Sequence, residues 1–465
     1  MRRPGLDLEG VCLAVLLLVV GAFLLYLRAE PSTFAIVGVC WLASLALKVV
    51  LGDSLRVNNL SLPSTVYLFY IVLLAVPAVF EFLDMSHPVR YKYLIAVQSV
   101  LVTLPLGVYA ANLFFVGPGA RIRAYAQSKL LPTTADLRVG SFLPLLLLAG
   151  LAGPVGFVLT AEHVPLMKVL VAQPIDDITL RFEVSRIPRA VLFGFALGRQ
   201  VILPVCMLYC FFMMRFRPRP WGLRFIALLV LATLVASLGL ERGPPLAVYV
   251  MLLFGVAVCQ DVSPLHPRAF PVYALVAGTG LAVAGFLSAY QYQSSPTTAD
   301  YVDHVQHVAV NRAFLTADVA ARTFERYPNS NTLLHGKYIR MFSLVTGGEY
   351  LDSFDYVTDP DMRYSVLPAS FVADLYRNWG LTAVFVGSIG LGFMLQCIQL
   401  LLFKTKTIVA AVFQVILLMM SVWYIIGNAF GIVTTAALAL STVSGFVAIR
   451  LSDRRPLSDR SPAGA

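Results

Sequence analysis

Charge is what this chain has least of. Asp, Glu, Lys and Arg make up 13% of its 465 residues, about half the share of a soluble globular domain. A water-facing globule cannot be assembled from that proportion, and 58% of the residues are hydrophobic. No Gly-x-x-x-x-Gly-Lys-Ser/Thr loop, Gly-x-Ser-x-Gly elbow or His-Glu-x-x-His pair occurs, so nucleotide hydrolysis, serine-hydrolase and zinc-protease chemistry have no vehicle. The six cysteines all lie within or at the ends of apolar runs, which gives no disulfide framework. Cys206 and Cys210 have helical i,i+4 spacing, but no His or carboxylate near them in sequence completes a metal site.

Long apolar runs are what the chain has instead. Mean hydropathy is +0.79. A span needs about 20 apolar residues, so the runs divide into about twelve membrane-spanning helices. They are continuous rather than alternating, which excludes a β-barrel. The expected spans are 9–28, 33–51, 62–83, 93–116, 140–160, 188–214, 222–240, 244–260, 270–290, 380–403, 408–427 and 429–450. The first is read as a retained span, because the run Val11–Leu27 lacks a small-residue cleavage site. Pro77, Pro105, Pro144, Pro154 and Pro204 interrupt spans, where each removes a backbone donor and favours a kink.

The net charge of +10 follows this layout. Arg56, Arg121, Arg123, Lys129, Arg138, Arg215, Arg217, Arg219, Arg224, Lys404, Lys406 and the tail arginines fall in alternate short loops. That is the positive-inside pattern, so both termini are expected in the cytoplasm and no nucleic-acid partner is implied. The chain is therefore expected to be one transmembrane domain over residues 1–465, with a short cytoplasmic tail at 452–465.

Two polar segments break the apolar pattern. The smaller, 161–187, holds Asp176, Asp177, Arg181, Glu183 and Arg186. The larger, 291–378, is expected to be an outer loop containing an amphipathic helix over Tyr301–Tyr327. Val310, Phe314, Ala317, Ala321 and Phe324 recur at spacings of four and three, so they share one face. Asp318 and Arg322 form an i,i+4 pair, and Tyr327-Pro328-Asn329-Ser330-Asn331 ends the helix. Such a helix either caps the mouth of the bundle or has only a packing role.

Arginine is the theme of the outer face: Arg181, Arg186, Arg189, Arg242, Arg312, Arg322, Arg326, Arg340, Arg363 and Arg377. A guanidinium is always charged and grips phosphate oxygens two at a time. Polybasic anchoring acts mainly on the inner leaflet, so a lipid-linked pyrophosphate accounts for outward arginines better. Solvated loop charges and local salt bridges are the alternative for each. Arg242 lies in the tight turn Leu240-Glu241-Arg242-Gly243-Pro244-Pro245, where it either faces the bundle or is neutralised by Glu241. Arg199 sits deep in an apolar run, a costly place unless it binds substrate or pairs with a carboxylate or helix-end carbonyls. His335, between an Asn-rich turn and Gly336-Lys337, is a candidate base or a plain surface histidine. Asp303, His304 and His307 lack an assured third ligand, and Asp359-Pro360-Asp361 mimics a metal motif that serves cytoplasmic nucleotide sugars.

Three stretches resemble the bacterial O-antigen polymerases, the Wzy-type oligosaccharide repeat unit polymerases, and their sister O-antigen ligases. They are Thr179-Leu180-Arg181-Phe182-Glu183, Leu240-Glu241-Arg242-Gly243 and the segment Ser370 to Gly380. The second carries Glu where the family usually has Ser, and no clean Arg-x10-Gly pattern occurs in the outer loops. The resemblance implies an all-α, GT-C-like polytopic bundle in a bacterial inner membrane with a large helical extracytoplasmic loop. It further implies a glycosyltransferase needing no cofactor and no metal. The donor would be a glycan on undecaprenyl pyrophosphate, the acceptor a sugar hydroxyl of a second lipid-linked unit. Membrane lipid and a chain-length regulator protein are the other implied partners. Arg181, Arg186, Arg242, Arg340 and Arg199 are then the expected pyrophosphate contacts, and His335, Glu183 or Asp355 the expected base. The rival readings are a ligase, which binds the same donor, and a secondary transporter or flippase with Arg199 at a midplane site.

Overall fold

The computed structural model describes residues 15, 18–22, 30–82, 85, 88–162, 164–170, 187–239, 243–259, 270–292, 299, 316–327, 333, 335 and 370–426. Among these residues every regular element is helical, apart from one isolated parallel bridge between Leu131 and Thr407. In chain order the helices are α1 (Pro31–Leu51), α2 (Leu62–Tyr70), α3 (Pro77–Glu81), α4 (Val89–Asn112), α5 (Pro118–Gln127), α6 (Thr134–Thr160), α7 (Pro165–Leu170) and α8 (Arg189–Leu197). They continue as α9 (Leu203–Met214), α10 (Pro218–Ser237), α11 (Gly243–Cys259), α12 (Phe270–Tyr292), α13 (316–326), α14 (Phe371–Trp379), α15 (Leu381–Leu402) and α16 (Ile408–Ile426). Eight helical stretches are long and apolar enough to cross a membrane, and α11 and the stretch Pro271–Leu287 of α12 are shorter apolar helices. This is a helical membrane protein. The expected span 429–450 and most of 9–28 lie outside the described residues.

Prolines open the ladder at two places rather than simply kinking it. The turns Ile71–Ala75 and Gly198–Ile202 are π-helical, and each precedes a proline, Pro77 and Pro204. A proline cannot donate to the carbonyl four residues back, and the widened turn accommodates the missing bond. Pro105, Pro144 and Pro154 instead lie inside continuous helices. The stretch carrying Arg121 and Arg123, read as loop from sequence, forms α5 after a left-handed Gly117 (φ 58°).

The chain divides into two compact units. The first comprises Met1–Ala126, Ala313–Leu401 and Ser421–Thr435. Several of its buried polar side chains are hydrogen-bonded to one another or to backbone carbonyls, which lowers the cost of placing them at membrane depth. Trp41 Nε1 donates to Gln98 Oε1 (3.0 Å), and Gln98 Nε2 donates to the Ala75 carbonyl at the end of the first π-turn (2.8 Å). Tyr70 donates to the Val97 carbonyl (2.6 Å). At one end of α4, Asn112 and Ser54 meet Gln396 Nε2 of α15, at 2.5 and 3.2 Å from Oδ1 and Oγ. Asp53, in the same neighbourhood, pairs with Arg56 and Arg123. α4 and α15 cross with backbones in contact: a Cβ on Gly107 would lie 2.0 Å from the Ile389 carbonyl oxygen, and one on Gly392 2.1 Å from that of Leu104.

The second unit comprises Gln127–Arg312, Leu402–Met420 and Ala436–Ala465. α6 begins with a capping box. Thr133 Oγ1 accepts from Asp136 N (3.1 Å), and Asp136 Oδ2 accepts from Thr133 N (2.7 Å). Asp136 Oδ1 also accepts from Val409 N (3.0 Å), which ties α16 to the start of α6. Burial pushes the Asp136 carboxyl above its ordinary range, against the pull of these donors. Further along, α6 meets α8 where a Cβ on Gly153 would lie 2.1 Å from the Gly194 carbonyl carbon, and Phe157 stacks on Phe195 (4.2 Å between centroids).

Candidate functional site

At the end of the first unit opposite Asn112, aromatic and charged side chains of α4, α13 and α14 come together. α14 is central. Ser370 Oγ accepts from Ala373 N (3.3 Å), which caps the first turn. Asp374 lies in the first turn and Arg377 in the last, the order that the helix dipole favours. The two form an ion pair of 2.5 Å with side chains 0% and 2% exposed. Asn378 Nδ2 donates to the Asp374 carbonyl (2.8 Å). Gly380 (φ 77°) ends the helix, its N–H bonding the Tyr376 carbonyl (2.7 Å), and α15 starts at the next residue.

α13 covers this helix. Phe324 stacks on Tyr376 at 3.7 Å between centroids and meets Tyr93 edge-on at 5.4 Å. Tyr93, near the start of α4, donates to the Ala317 carbonyl (3.0 Å). Ala317, Ala320, Ala321 and Phe324 are buried, and Asp318 pairs with Arg322 (2.8 Å) on the outer side. The expected apolar face is thus present from Ala317 to Phe324, while Val310 and Phe314 lie outside the described residues. The helix is a packed element of the unit, with a buried face of its own. Burial raises the Tyr376 hydroxyl above its ordinary value, so it stays protonated here.

His335 reaches this cluster through its backbone. Its N–H donates to the Asn378 carbonyl (2.9 Å), and its φ of 48° turns the chain left-handed there. Its imidazole is exposed, so the side chain is open to a ligand while the backbone is tied to α14. Leu333 Cδ1 is 3.8 Å from where a Cβ on Gly380 would sit.

Arg199 belongs to the second unit. It occupies the π-turn Gly198–Ile202 in the 25-residue span Ala190–Met214 and is 7% exposed. Its guanidinium carbon lies 4.5 Å over the Phe195 ring, a cation–π contact that favours the charge at that depth.

Arg181, Arg186, Arg242, Arg340, Glu183 and Asp355 lie outside the described residues. Of the residues that sequence singled out for chemistry, the described ones are therefore His335 and Arg199, in different units. Arg377, counted with the outer arginines, takes the alternative that sequence left open for each of them: it forms a local salt bridge, sealed against Asp374. The signal for this was the Asp-x-x-Arg spacing on a helix whose other face carries Phe371, Val372 and Tyr376. Among the described residues, no three His, Cys, Asp or Glu side chains gather in a way that would hold a metal ion. Comparison with protein-family models, with curated proteins and with solved structures finds no match to this chain.

Proposed function

We propose that this chain is a membrane-embedded glycosyltransferase that polymerises lipid-linked oligosaccharide repeat units on the outer face of a bacterial inner membrane. The reading includes a GT-C-like bundle of about twelve spans, each of about 20 residues, both termini in the cytoplasm, and 291–378 as the outer loop. One observation carries it. The segment Ser370–Gly380, which resembles the part of the family that closes this loop, forms a capped helix that holds a buried ion pair. α13, from the same loop, is docked on it, and α15 follows after Gly380 alone. His335, exposed and tied by its backbone to α14, is thereby held next to the helix that leads into α15.

The chemistry asked of the site is glycosyl transfer. The hydroxyl oxygen of the acceptor sugar attacks the anomeric carbon, the bond from that carbon to the pyrophosphate oxygen breaks, and polyprenyl pyrophosphate leaves with the electron pair. Arg181, Arg186, Arg242 and Arg340 are assigned to the charge that develops on the leaving group, which fixed guanidiniums stabilise without a metal. His335, Glu183 or Asp355 takes the acceptor proton. The exposed His335 imidazole on a tethered backbone suits that task.

A transporter or flippase for a lipid-linked glycan is the second reading, and Arg199 favours it. A buried cation on a π-turn inside a span is a feature of sites at membrane depth. Deleting the chain from its host separates the readings by the surface glycan that remains. Single repeat units on an otherwise normal carrier are expected for a polymerase. Full-length chains left on the carrier identify a ligase, and units trapped inside identify a flippase; either result overturns the proposal. With Arg181→Ala or Arg242→Ala, chain growth is expected to fall by about a hundredfold or more, the scale of losing a charge-stabilising donor, with membrane insertion intact.

A further inference from the structure

The turn between α9 and α10 carries an independent feature. Arg215, Arg217, Arg219 and Arg224 fall within ten residues, and residues 184–240 contain no Asp or Glu. α9, α10 and α11, which pack together, contain none either. The turn joins the spans Ala190–Met214 and Pro218–Ser237, so it lies at a membrane surface whichever way the chain is oriented.

Two of the four cations are engaged within the protein. Arg215 Nη1 donates to the Cys259 carbonyl at the end of α11, and Arg224 lies over the Trp221 ring at 4.6 Å. Arg217 and Arg219 are exposed, and neither takes part in an ion pair among the described residues. They flank the start of a 20-residue helix without a side-chain cap. Pro218 and Pro220 have no N–H there, and the N–H of Arg219, second in the helix, has no acceptor within it. Arg217, Arg219, that N–H and the positive end of the helix all belong to this one turn.

An anion alone would use only half of this surface. Arg219, Leu223, Ile226 and Val230 recur at spacings of four, three and four, so they form one stripe along α10. Leu223, Ile226 and Val230 are 75%, 58% and 53% exposed, and Phe216 beside Arg217 is 40% exposed. From Arg219 to Val230 the helix rises about 16 Å. That equals one leaflet of hydrocarbon, about 15 Å. A ligand matching the surface has an anionic head at Arg217 and Arg219 and an apolar chain one leaflet long.

We propose that the α9–α10 turn and the exposed stripe of α10 form a binding site for an anionic phospholipid, its phosphate held by Arg217 and Arg219 and its acyl chain lying on Leu223, Ile226 and Val230. The site serves the folded bundle and does not depend on the glycosyltransferase reading.

The test measures lipid retention by the purified full chain in detergent, with native mass spectrometry and thermal unfolding. Phosphatidylglycerol is expected to be retained and to raise Tm, while phosphatidylcholine at the same concentration is not. Arg217→Ala with Arg219→Ala is expected to weaken phosphatidylglycerol retention about thirtyfold, roughly fivefold for each cation lost at a lipid surface. Arg217→Lys with Arg219→Lys keeps both charges and is expected to retain most of the binding. Leu223→Ser with Ile226→Ser is expected to weaken retention while leaving the cations in place. Equal retention of the two lipids, or undiminished phosphatidylglycerol retention in the double alanine variant, overturns the proposal. The same Tm rise with inorganic phosphate alone also overturns it, since the stripe would then have no part.

Discussion

Arg377 and Asp374 show how one pair of residues sets the character of this chain. Two charges sealed from water offset each other's desolvation across 2.5 Å. Taking one away exposes that dependence. Asp374→Ala removes the carboxylate paired with a buried cation and is expected to cost about 3–5 kcal/mol. Replacing both, as Asp374→Leu with Arg377→Met, is expected to restore stability to about that of the parent, because neither desolvation cost then remains. Thermal unfolding in detergent reads both variants, and a single variant as stable as the parent removes the pair from the fold. The residue scale is also where sequence falls short. Asp-x-x-Arg spacing states that the two share a helix face, but it does not say that Phe324 arrives from a distant part of the chain to stack on Tyr376 of the same helix, with Tyr93 edge-on against it. His335 was legible as a candidate, while its tie to Asn378 depends on a left-handed turn that no local pattern announces.

At the scale of elements, hydropathy located the spans well, because a run of apolar residues has no stable alternative to a helix in lipid. α1, α4, α10, α15 and α16 begin and end within a few residues of the expected limits. The crossings between them were not legible. Gly107 and Gly392 look like ordinary glycines of membrane helices, yet each stands where a partner backbone passes. Gly107→Ala places a methyl 2.0 Å from the Ile389 carbonyl oxygen, so α4 and α15 must move apart. The expected loss is about 1–3 kcal/mol, the usual cost of overpacking, visible as a lowered Tm. Gly38→Ala in α1 is the matched control. It has open space around its Cβ and is expected to be neutral or to stabilise by about 0.5–1 kcal/mol, because alanine favours a helix. Equal behaviour of the two variants would show that the crossing is not tight.

Among the described residues of the first unit, two polar clusters mark the two ends of α4. Tyr93, Phe324, Tyr376, Asp374 and Arg377 gather beyond one end of α4, and Asp53, Asn112, Arg123 and Gln396 gather at the other. The topology proposed from the positive-inside pattern puts the second of these on the cytoplasmic side. A single cysteine in place of His335 is therefore expected to react with a membrane-impermeant maleimide in intact cells, and one in place of Arg219 only after permeabilisation. The reverse labelling would invert the topology and place His335 on the wrong face for an outward transferase. The native cysteines lie in apolar runs and give little background. Gly380 is the sole residue separating α14 from α15. With no slack at that joint, a push on the docked α13 and α14 is handed directly to a membrane-crossing rod. Occupancy above the bilayer would thereby be felt as tilt within it.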